Sequence, residues 1–226
     1  MIRAAIFDYD GTVADTIPVI RTALNITMNR FGFPSLTHEQ VVQAINNGAR
    51  SLIRNTMPEE LRNNEAEVDR VFSVYLGDYR ANHLDTKEAY KGIPELISAL
   101  HQQGLKIAIL SNKDHDLVEN LTRQTLPAGT VDAVQGVIRG KPTKPDRFLV
   151  DRVCKRLGVS PADCVMIGDS DVDVLTAQNA GMRHVGVTWG YRSEEVLRAR
   201  GATRFAHTAD ELGRILASMM EGEAQC

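Results

Sequence analysis

This chain has no long apolar run and little net charge, and each shortage excludes a class of protein. No apolar segment approaches the roughly 20 residues that a membrane-spanning helix needs. A net charge of -3 provides no general attraction to nucleic acid or to an anionic membrane. After Arg3 the sequence leads straight into a strand pattern, without the apolar region of a signal peptide. We therefore expect no signal peptide and neither a membrane nor a nucleic acid as partner.

Cysteine is also scarce, and its spacing excludes two further kinds of site. The chain has three cysteines, Cys154, Cys164 and Cys226, an odd number that argues against a disulfide framework. Neither they nor the six histidines have the spacing of metal ligands. This usage fits a reducing cytoplasm, where we expect the protein to act.

The remaining composition is that of a soluble globular protein. Hydrophobic residues make up 43% of the 226-residue chain and charged residues 24%. A chain of this length can bury a substantial core and form one large domain or two small ones.

The most informative segment is Ala4–Thr12, in which an apolar strand pattern ends in two carboxylates. Residues i and i+2 of a strand point the same way, so Asp8 and Asp10 would lie close together. Two such carboxylates repel unless a cation lies between them, which suggests a hard cation with oxygen ligands. Aspartate can also act as a nucleophile in phosphoryl transfer. The structural alternative is a common Asp-Gly turn.

From about residue 90 onwards, apolar strands alternate with amphipathic helices through short links. This pattern predicts a parallel α/β sheet with helices on both faces. We predict helices at 94–103, 146–157, 172–180 and 193–200, a last helix from Asp210, and strands at 106–110, 131–138, 165–167, 184–188 and 204–206.

Between the first strand and this region, the sequence shows helical periods but no strand alternation. A first helix is capped by Asp15 or Thr16, with Pro18 in its first turn. We therefore predict two domains, an α/β core formed by residues 1–14 and 86–226 and a helical insert at 15–85.

Four polar motifs follow predicted strands, where ligands bind in open parallel sheets. They are Asp8–Thr12, Ser111–Asn112, Lys141–Lys144 and Gly168–Asp173. Together they would bring carboxylates, a hydroxyl and a lysine into one crevice, a set that suits a phosphoryl group and Mg²⁺.

Each later motif also has a purely structural interpretation. Ser111–Asn112 alone is typical of a helix N-cap. The two lysines could be solvated loop charges, and Asp171 and Asp173 would be favourable in the first turn of a helix.

In this order and spacing, the motifs resemble the haloacid dehalogenase (HAD) superfamily, and the insert resembles its C1-type cap. Within it, Asn47–Ala49 and Gly186–Tyr191 are similar to phosphoglycolate phosphatases. The resemblance implies a HAD-like, Rossmann-type core and a Mg²⁺-dependent phosphatase that forms an aspartyl-phosphate.

The resemblance also implies roles for residues. Asp8 would be the nucleophile and Asp10 the general acid and then base. Ser111 and the backbone amide of Asn112 would bind the transferring phosphoryl oxygens, while a lysine neutralises charge. We choose Lys144 over Lys141 because Lys144-Pro145-Asp146 leads directly into a helix.

The same resemblance places Mg²⁺ on Asp8, the backbone carbonyl of Asp10 and Asp169, with Asp173 helping to fix the site. Gly11 and Thr12 would form a tight turn near the metal, with Thr12 also a candidate for binding substrate.

In the insert, Gly48 and Arg50 lie at a break between helices and are candidates for binding substrate. The planar fork of Arg50 suits a substrate carboxylate, although an exposed surface arginine is an equal alternative. Tyr9 either shapes the pocket or packs.

The leading functional hypothesis is hydrolysis of a small phosphomonoester, with 2-phosphoglycolate the best single substrate. Asp10 argues against a dehalogenase, and the absence of lysine from residues 15–85 removes a Schiff-base hydrolase. An inorganic pyrophosphatase, a sugar phosphatase or β-phosphoglucomutase on the same scaffold, and a non-enzymatic binding protein are the alternatives. We expect a monomer or homodimer.

Overall fold

The computed structural model describes residues 1–45, 48–82 and 89–222. Its centre is a six-stranded sheet with the order β3-β2-β1-β4-β5-β6, in which every neighbouring pair is parallel. The predicted α/β class is therefore confirmed. The strands are β1 Ala4–Phe7, β2 Lys106–Asp114, β3 Ala133–Val137, β4 Cys164–Gly168, β5 Arg183–Val187 and β6 Phe205–Ala206.

Helices separate successive strands along the chain. They are α1 Ile17–Arg30, α2 His38–Ala44, α3 Ala49–Thr56, α4 Glu65–Asn82, α5 Ile93–Gln102, α6 His115–Thr125, α7 Phe148–Leu157, α8 Asp171–Ala180, α9 Glu194–Ala199 and α10 Ala209–Glu221. Short 3₁₀ turns occur at Glu59–Leu61 and Pro161–Asp163. None of the helices within the described residues has both the length and the apolar character needed to cross a membrane.

The central strand β1 is buried on both faces, as its uninterrupted apolar sequence requires. Ala5 and Phe7 pack in the cluster that contains residues of α5, α6 and α10. Ala4 and Ile6 pack in a second cluster with residues of α7 and α8. The α/β unit is thus a sheet between two helical layers.

The register of the sheet aligns the ends of its three central strands. Phe7 of β1 lies opposite Ile109 of β2 and Ile167 of β4. Polar residues that follow these positions therefore emerge at the same edge, beside the point where the chain order of the strands reverses.

Strand β2 is longer than the sequence predicts, because it continues to Asp114 instead of ending at Leu110. Leu110 pairs with Gln135 and Asp114 with Val137, so three residues of β2 face only one residue of β3 between these pairs. The extra residues form an irregular bulge. Ser111 is therefore not a helix cap, and α6 begins after Asp114.

The chain divides into two compact units, Met1–Asp15 with Glu88–Cys226, and Thr16–Lys87. The second unit is helical, and its longest helices, α1 and α4, are joined by a buried bond from the Thr27 hydroxyl to Asp78. Thr16 occupies the N-cap position of α1, but its side chain makes no capping hydrogen bond. The assignment of 15–85 as a cap domain, with 1–14 and 86–226 as catalytic core, stays a prediction.

Candidate active site

Three buried carboxylates converge at the carboxyl edge of the sheet. Asp8 follows β1, Asp169 follows β4, and Asp173 lies in the first turn of α8. Each offers an oxygen, and these oxygens all lie within 4.8 Å of one another. The three side chains are almost inaccessible to solvent, so their mutual repulsion is poorly screened.

A single ammonium lies between two of these carboxylates. Lys144 Nζ is 2.9 Å from Asp8 Oδ1 and 2.7 Å from Asp173 Oδ1. Burial by itself would lower the pKa of Lys144, but Asp173 and Asp8 outweigh it and raise that pKa above its ordinary value. Burial raises the pKa of Asp8 well above its usual range, and Lys144 opposes this shift. The lysine is therefore charged at neutral pH.

The backbone of Lys144 is held by Asn112. The Asn112 side chain donates to the Lys144 carbonyl at 2.9 Å and accepts from the Lys144 amide at 2.8 Å. Lys141, in contrast, is exposed on the surface. Of the two candidate lysines, only Lys144 is brought to the carboxylates.

Asp169 is fixed by donors from two distant segments of the chain. The Thr12 hydroxyl donates to Oδ1 at 2.8 Å, and the backbone amide of Tyr191 donates to Oδ2 at 2.8 Å. Burial, reinforced by Asp173, raises the pKa of Asp169 to about 7 despite these bonds. Thr12 thus orients a carboxylate in this structure.

Glycines surround this carboxylate because no side chain would fit. A Cβ on Gly190 would overlap the Asp169 side chain and the Gly11 carbonyl, and a Cβ on Gly11 would also overlap Asp169. Gly11 has a positive φ of 80°, which favours glycine independently. The loop after β5 therefore closes directly over Asp169.

Asp173 combines its first-turn position with a contact at the site. Its Oδ2 accepts bonds from the Ser170 amide and hydroxyl, and its own amide donates to the Ser170 hydroxyl oxygen, so that a capping box forms at the start of α8. Its Oδ1 faces Lys144. Asp171 instead lies 3.8 Å from Arg200 and takes no part in the carboxylate cluster.

Asp10 has a different environment from Asp8. Its Oδ1 lies 3.2 Å from the ammonium of Lys113, and its side chain keeps 21% of its exposure. Ser111, in the bulge of β2, is 1% exposed and its hydroxyl accepts a bond from the Lys113 amide. The two aspartates of the first motif therefore face separate lysines.

The candidate substrate residues of the helical unit have partners within that unit. Gly48 precedes α3 with a positive φ of 88°. Arg50 donates to Glu65 at 2.7 Å and to Asp69 at 2.8 Å. Asn47, part of the same predicted motif, lies outside the described residues.

Sequence reasoning gave Lys113 no role, and it used Gly186–Tyr191 as a likeness to a family without predicting its contacts with Thr12 and Asp169. Trp189 packs against the core cluster, and its indole also donates to the Thr12 carbonyl at 3.1 Å. The available signal was that Gly186–Tyr191 follows a strand at the same edge. Tyr9 packs in the core, with its hydroxyl 2.8 Å from that of Thr125.

The donor set suits a hard divalent cation. Among the residues that the structure describes, the cluster contains three carboxylates and the ammonium of Lys144, which leaves an excess of negative charge in a buried space. Carboxylate oxygen is the ligand that Mg²⁺ prefers. Asp169 meets only the neutral donors of Thr12 and Tyr191 in these bonds, whereas Asp8 and Asp173 share the charged ammonium of Lys144.

Comparisons with known proteins agree with this arrangement. Residues 5–187 match the family model described as haloacid dehalogenase-like hydrolase. Phosphoglycolate phosphatase 1 of Pseudomonas aeruginosa is 31% identical over 192 residues, which cover 84% of this chain and 70% of that protein. Phosphoglycolate phosphatase of Vibrio vulnificus is 28% identical, with 95% of each chain covered.

A solved structure extends the likeness to three dimensions. A protein from Lactobacillus delbrueckii subsp. bulgaricus, provisionally described as a phosphoglycolate phosphatase, has a TM-score of 0.86 and 32% identity. The match covers 95% of this chain and 98% of the other. With the family model spanning most of its length and its motif residues meeting at one edge of the sheet, this chain belongs to the haloacid dehalogenase-like hydrolase family.

Proposed function

We propose that this protein is a Mg²⁺-dependent phosphatase that hydrolyses a small phosphomonoester, with 2-phosphoglycolate the leading substrate. The observation that carries the proposal is the unequal environment of two aspartates in one motif. Asp8 is buried against Lys144 and the other carboxylates, whereas Asp10 is partly exposed beside Lys113. Such a division suits a nucleophile and a separate acid and base.

In the first step, a carboxylate oxygen of Asp8 attacks phosphorus, and the bond from phosphorus to the leaving oxygen breaks. Asp10 gives its proton to that leaving oxygen, so the alcohol departs neutral. Lys144 keeps the Asp8 carboxylate oriented through the contact at 2.9 Å. The Ser111 hydroxyl donates to a phosphoryl oxygen, as does the backbone amide of Asn112.

In the second step, Asp10 is ionised and accepts a proton from water. The water oxygen attacks phosphorus, the bond from phosphorus to Asp8 breaks, and inorganic phosphate is released. The Asp8 carboxylate is thereby restored. The same residue serves as acid and then as base, which requires its position beside the leaving group rather than in the cluster.

Asp8, Asp169 and the Asp10 carbonyl would hold the magnesium ion, with Asp173 fixing the site through Lys144. When bound, the ion would neutralise charge on the phosphoryl oxygens and on the carboxylates. The Asp169 carboxylate is held in place for the ion by its bonds to Thr12 and Tyr191 and by the close packing of the neighbouring glycines.

The choice of substrate rests on the relatives, whose names specify phosphoglycolate. We further propose, from the cysteine usage, that the protein acts in the cytoplasm, as a monomer or homodimer. Gly48 and Arg50 stay predicted contacts for substrate, and Arg50 would first have to exchange Glu65 and Asp69 for a substrate carboxylate.

Phosphate release tests the proposal directly. The panel contains 2-phosphoglycolate, sugar phosphates, pyridoxal phosphate, nucleotides and pyrophosphate, each with MgCl₂ or with EDTA. We expect release from 2-phosphoglycolate that requires Mg²⁺ and is lost in Asp8→Asn. The matched control is Asp171→Asn, whose carboxylate pairs with Arg200 and should leave activity near the wild-type level.

The other outcomes discriminate among the alternatives. Preference for pyrophosphate or a sugar phosphate would replace the proposed substrate while keeping the mechanism. Isomerisation of a sugar phosphate without net hydrolysis would indicate a mutase. Full activity in Asp8→Asn would exclude the nucleophile proposed here.

A further inference from the structure

We propose that Lys113 binds an anionic group carried by the leaving part of the substrate, and so selects phosphate esters of 2-hydroxy carboxylates. The inference rests on the proposed function and deepens it, because it assigns substrate selection to a residue of the catalytic edge. Lys113 is not part of any of the four polar motifs that follow strands in the sequence.

The position of the ammonium carries the argument. Lys113 Nζ lies 3.2 Å from Asp10 Oδ1, and its side chain is 9% exposed. Asp10 is the residue that protonates the leaving oxygen, so the cation lies on the leaving-group side of the reaction. A buried ammonium costs desolvation free energy, which is recovered only by contact with negative charge.

Lys113 and Lys144 serve different sides of the site. Lys144 is 2% exposed and is committed to Asp8 and Asp173, where it faces the nucleophile. Lys113 is placed beside Asp10 instead. The chain therefore provides one cation for the phosphoryl side and another for the leaving group.

The bulge of β2 sets the direction of Lys113. The Lys113 amide donates to the Ser111 hydroxyl oxygen at 3.2 Å, within the irregular part of the strand. Gly136 of β3 approaches so closely that a Cβ there would overlap the Lys113 carbonyl and His115. Ser111 and Lys113 therefore lie on the same irregular segment of β2, which packs closely against Gly136.

The chemistry of the ligand follows from these positions. In a phosphate ester of a 2-hydroxy carboxylate, the carboxylate carbon is two bonds from the leaving oxygen. When Asp10 meets that oxygen, the carboxylate lies beside Asp10, which is where Lys113 places its charge. An ammonium has three donors, so it can contact Asp10 and a substrate carboxylate together.

The test compares two substrates, one with a carboxylate where the other has a methyl group. The holoenzyme with MgCl₂ is assayed with 2-phosphoglycolate and with ethyl phosphate, which has the same two-carbon skeleton without a carboxylate. We expect Lys113→Met to reduce kcat/KM for 2-phosphoglycolate about 10- to 100-fold more than for ethyl phosphate. Lys113→Arg should restore part of the preference, and Lys141→Met, at an exposed lysine, should change neither value.

An equal loss on both substrates would overturn the inference, because Lys113 would then act only through Asp10. Binding separates this result from a failure of the proposed function. In an Asp8→Asn background with MgCl₂, calorimetry should show that Lys113→Met weakens 2-phosphoglycolate binding and spares ethyl phosphate. If Lys113→Met weakens only 2-phosphoglycolate binding and the wild-type protein shows no turnover, the phosphatase function is refuted and the binding role of Lys113 is supported. If Lys113→Met leaves 2-phosphoglycolate affinity unchanged, or weakens both ligands equally, the binding role is refuted. If Lys113→Met does not fold, Lys113→Arg replaces it in the kinetic and calorimetric comparisons. We expect this variant to retain a preference for 2-phosphoglycolate over ethyl phosphate. Loss of that preference would overturn the proposed role of Lys113.

Discussion

Replacing Gly190 with alanine would place a methyl group where the Asp169 side chain and the Gly11 carbonyl already lie. The added Cβ would overlap Asp169 Cβ and Cγ as well as that carbonyl oxygen, and neither neighbour is the free end of a flexible side chain. Gly190 lies between Trp189 and Tyr191, which bond to the first motif and to Asp169. The loop or the carboxylate must therefore move.

Two magnitudes follow from this overlap. Forcing an extra carbon into a packed site costs about 1–3 kcal/mol in the free energy of unfolding. A displacement of about 1 Å at a residue that orients the reaction can cost on the order of 100-fold in rate. We expect Gly190→Ala to lower kcat and the apparent Mg²⁺ affinity as well as the free energy of unfolding, since the clash is directed at Asp169.

The assay measures phosphate release across a Mg²⁺ titration, together with unfolding by urea. Gly77→Ala is the control, because Gly77 lies in α4 with open space around it. That change should raise stability by about 0.5–1 kcal/mol without altering the Mg²⁺ dependence. Wild-type kcat and Mg²⁺ affinity in Gly190→Ala would refute the claim that this loop holds Asp169.

Two further substitutions test buried titratable groups. Lys144→Met leaves Asp8 and Asp173 without their shared cation, so we expect a loss of about 3–5 kcal/mol in urea unfolding at pH 8. A loss below about 1 kcal/mol would contradict this account. Burial lowers the pKa of His184 to about 4, and its ring nitrogens have no partner within the described residues. The unfolded chain therefore takes up a proton that the folded one does not as pH falls from about 6.5 towards 4, which removes about 3 kcal/mol of stability. His184→Leu should lack this component when urea midpoints at pH 4.5 and 7.5 are compared, and an unchanged difference would contradict it.

The sequence was informative wherever a residue's place follows from the end of a strand. Asp8 and Asp169 follow short apolar runs whose register in a parallel sheet is narrowly limited, so their convergence could be predicted. Lys144 could be preferred over Lys141 because a helix starts soon after it. The alternation of strands and helices likewise predicted the sheet and its two helical layers.

Other parts of the site depend on geometry that periodicity does not encode. Lys113 reaches Asp10 from a strand that contains extra residues, whereas a regular pattern ends that strand at Leu110. The Tyr191 contact uses a backbone amide, which every residue except proline possesses, so residue identity gave no signal. Glycine is needed at position 190 because Asp169 and Gly11, both distant in the sequence, lie too close to leave room for a Cβ.

The position of β1 also has a consequence for how the protein is made. Ala4 pairs with Lys106 on one side and with Cys164 on the other, so β1 has no partner until these much later residues have been synthesised. The helical unit at Thr16–Lys87 depends on nearer contacts and is complete earlier in translation. Asp8 is therefore synthesised well before Lys144, Asp169 and Asp173, the residues that complete its surroundings.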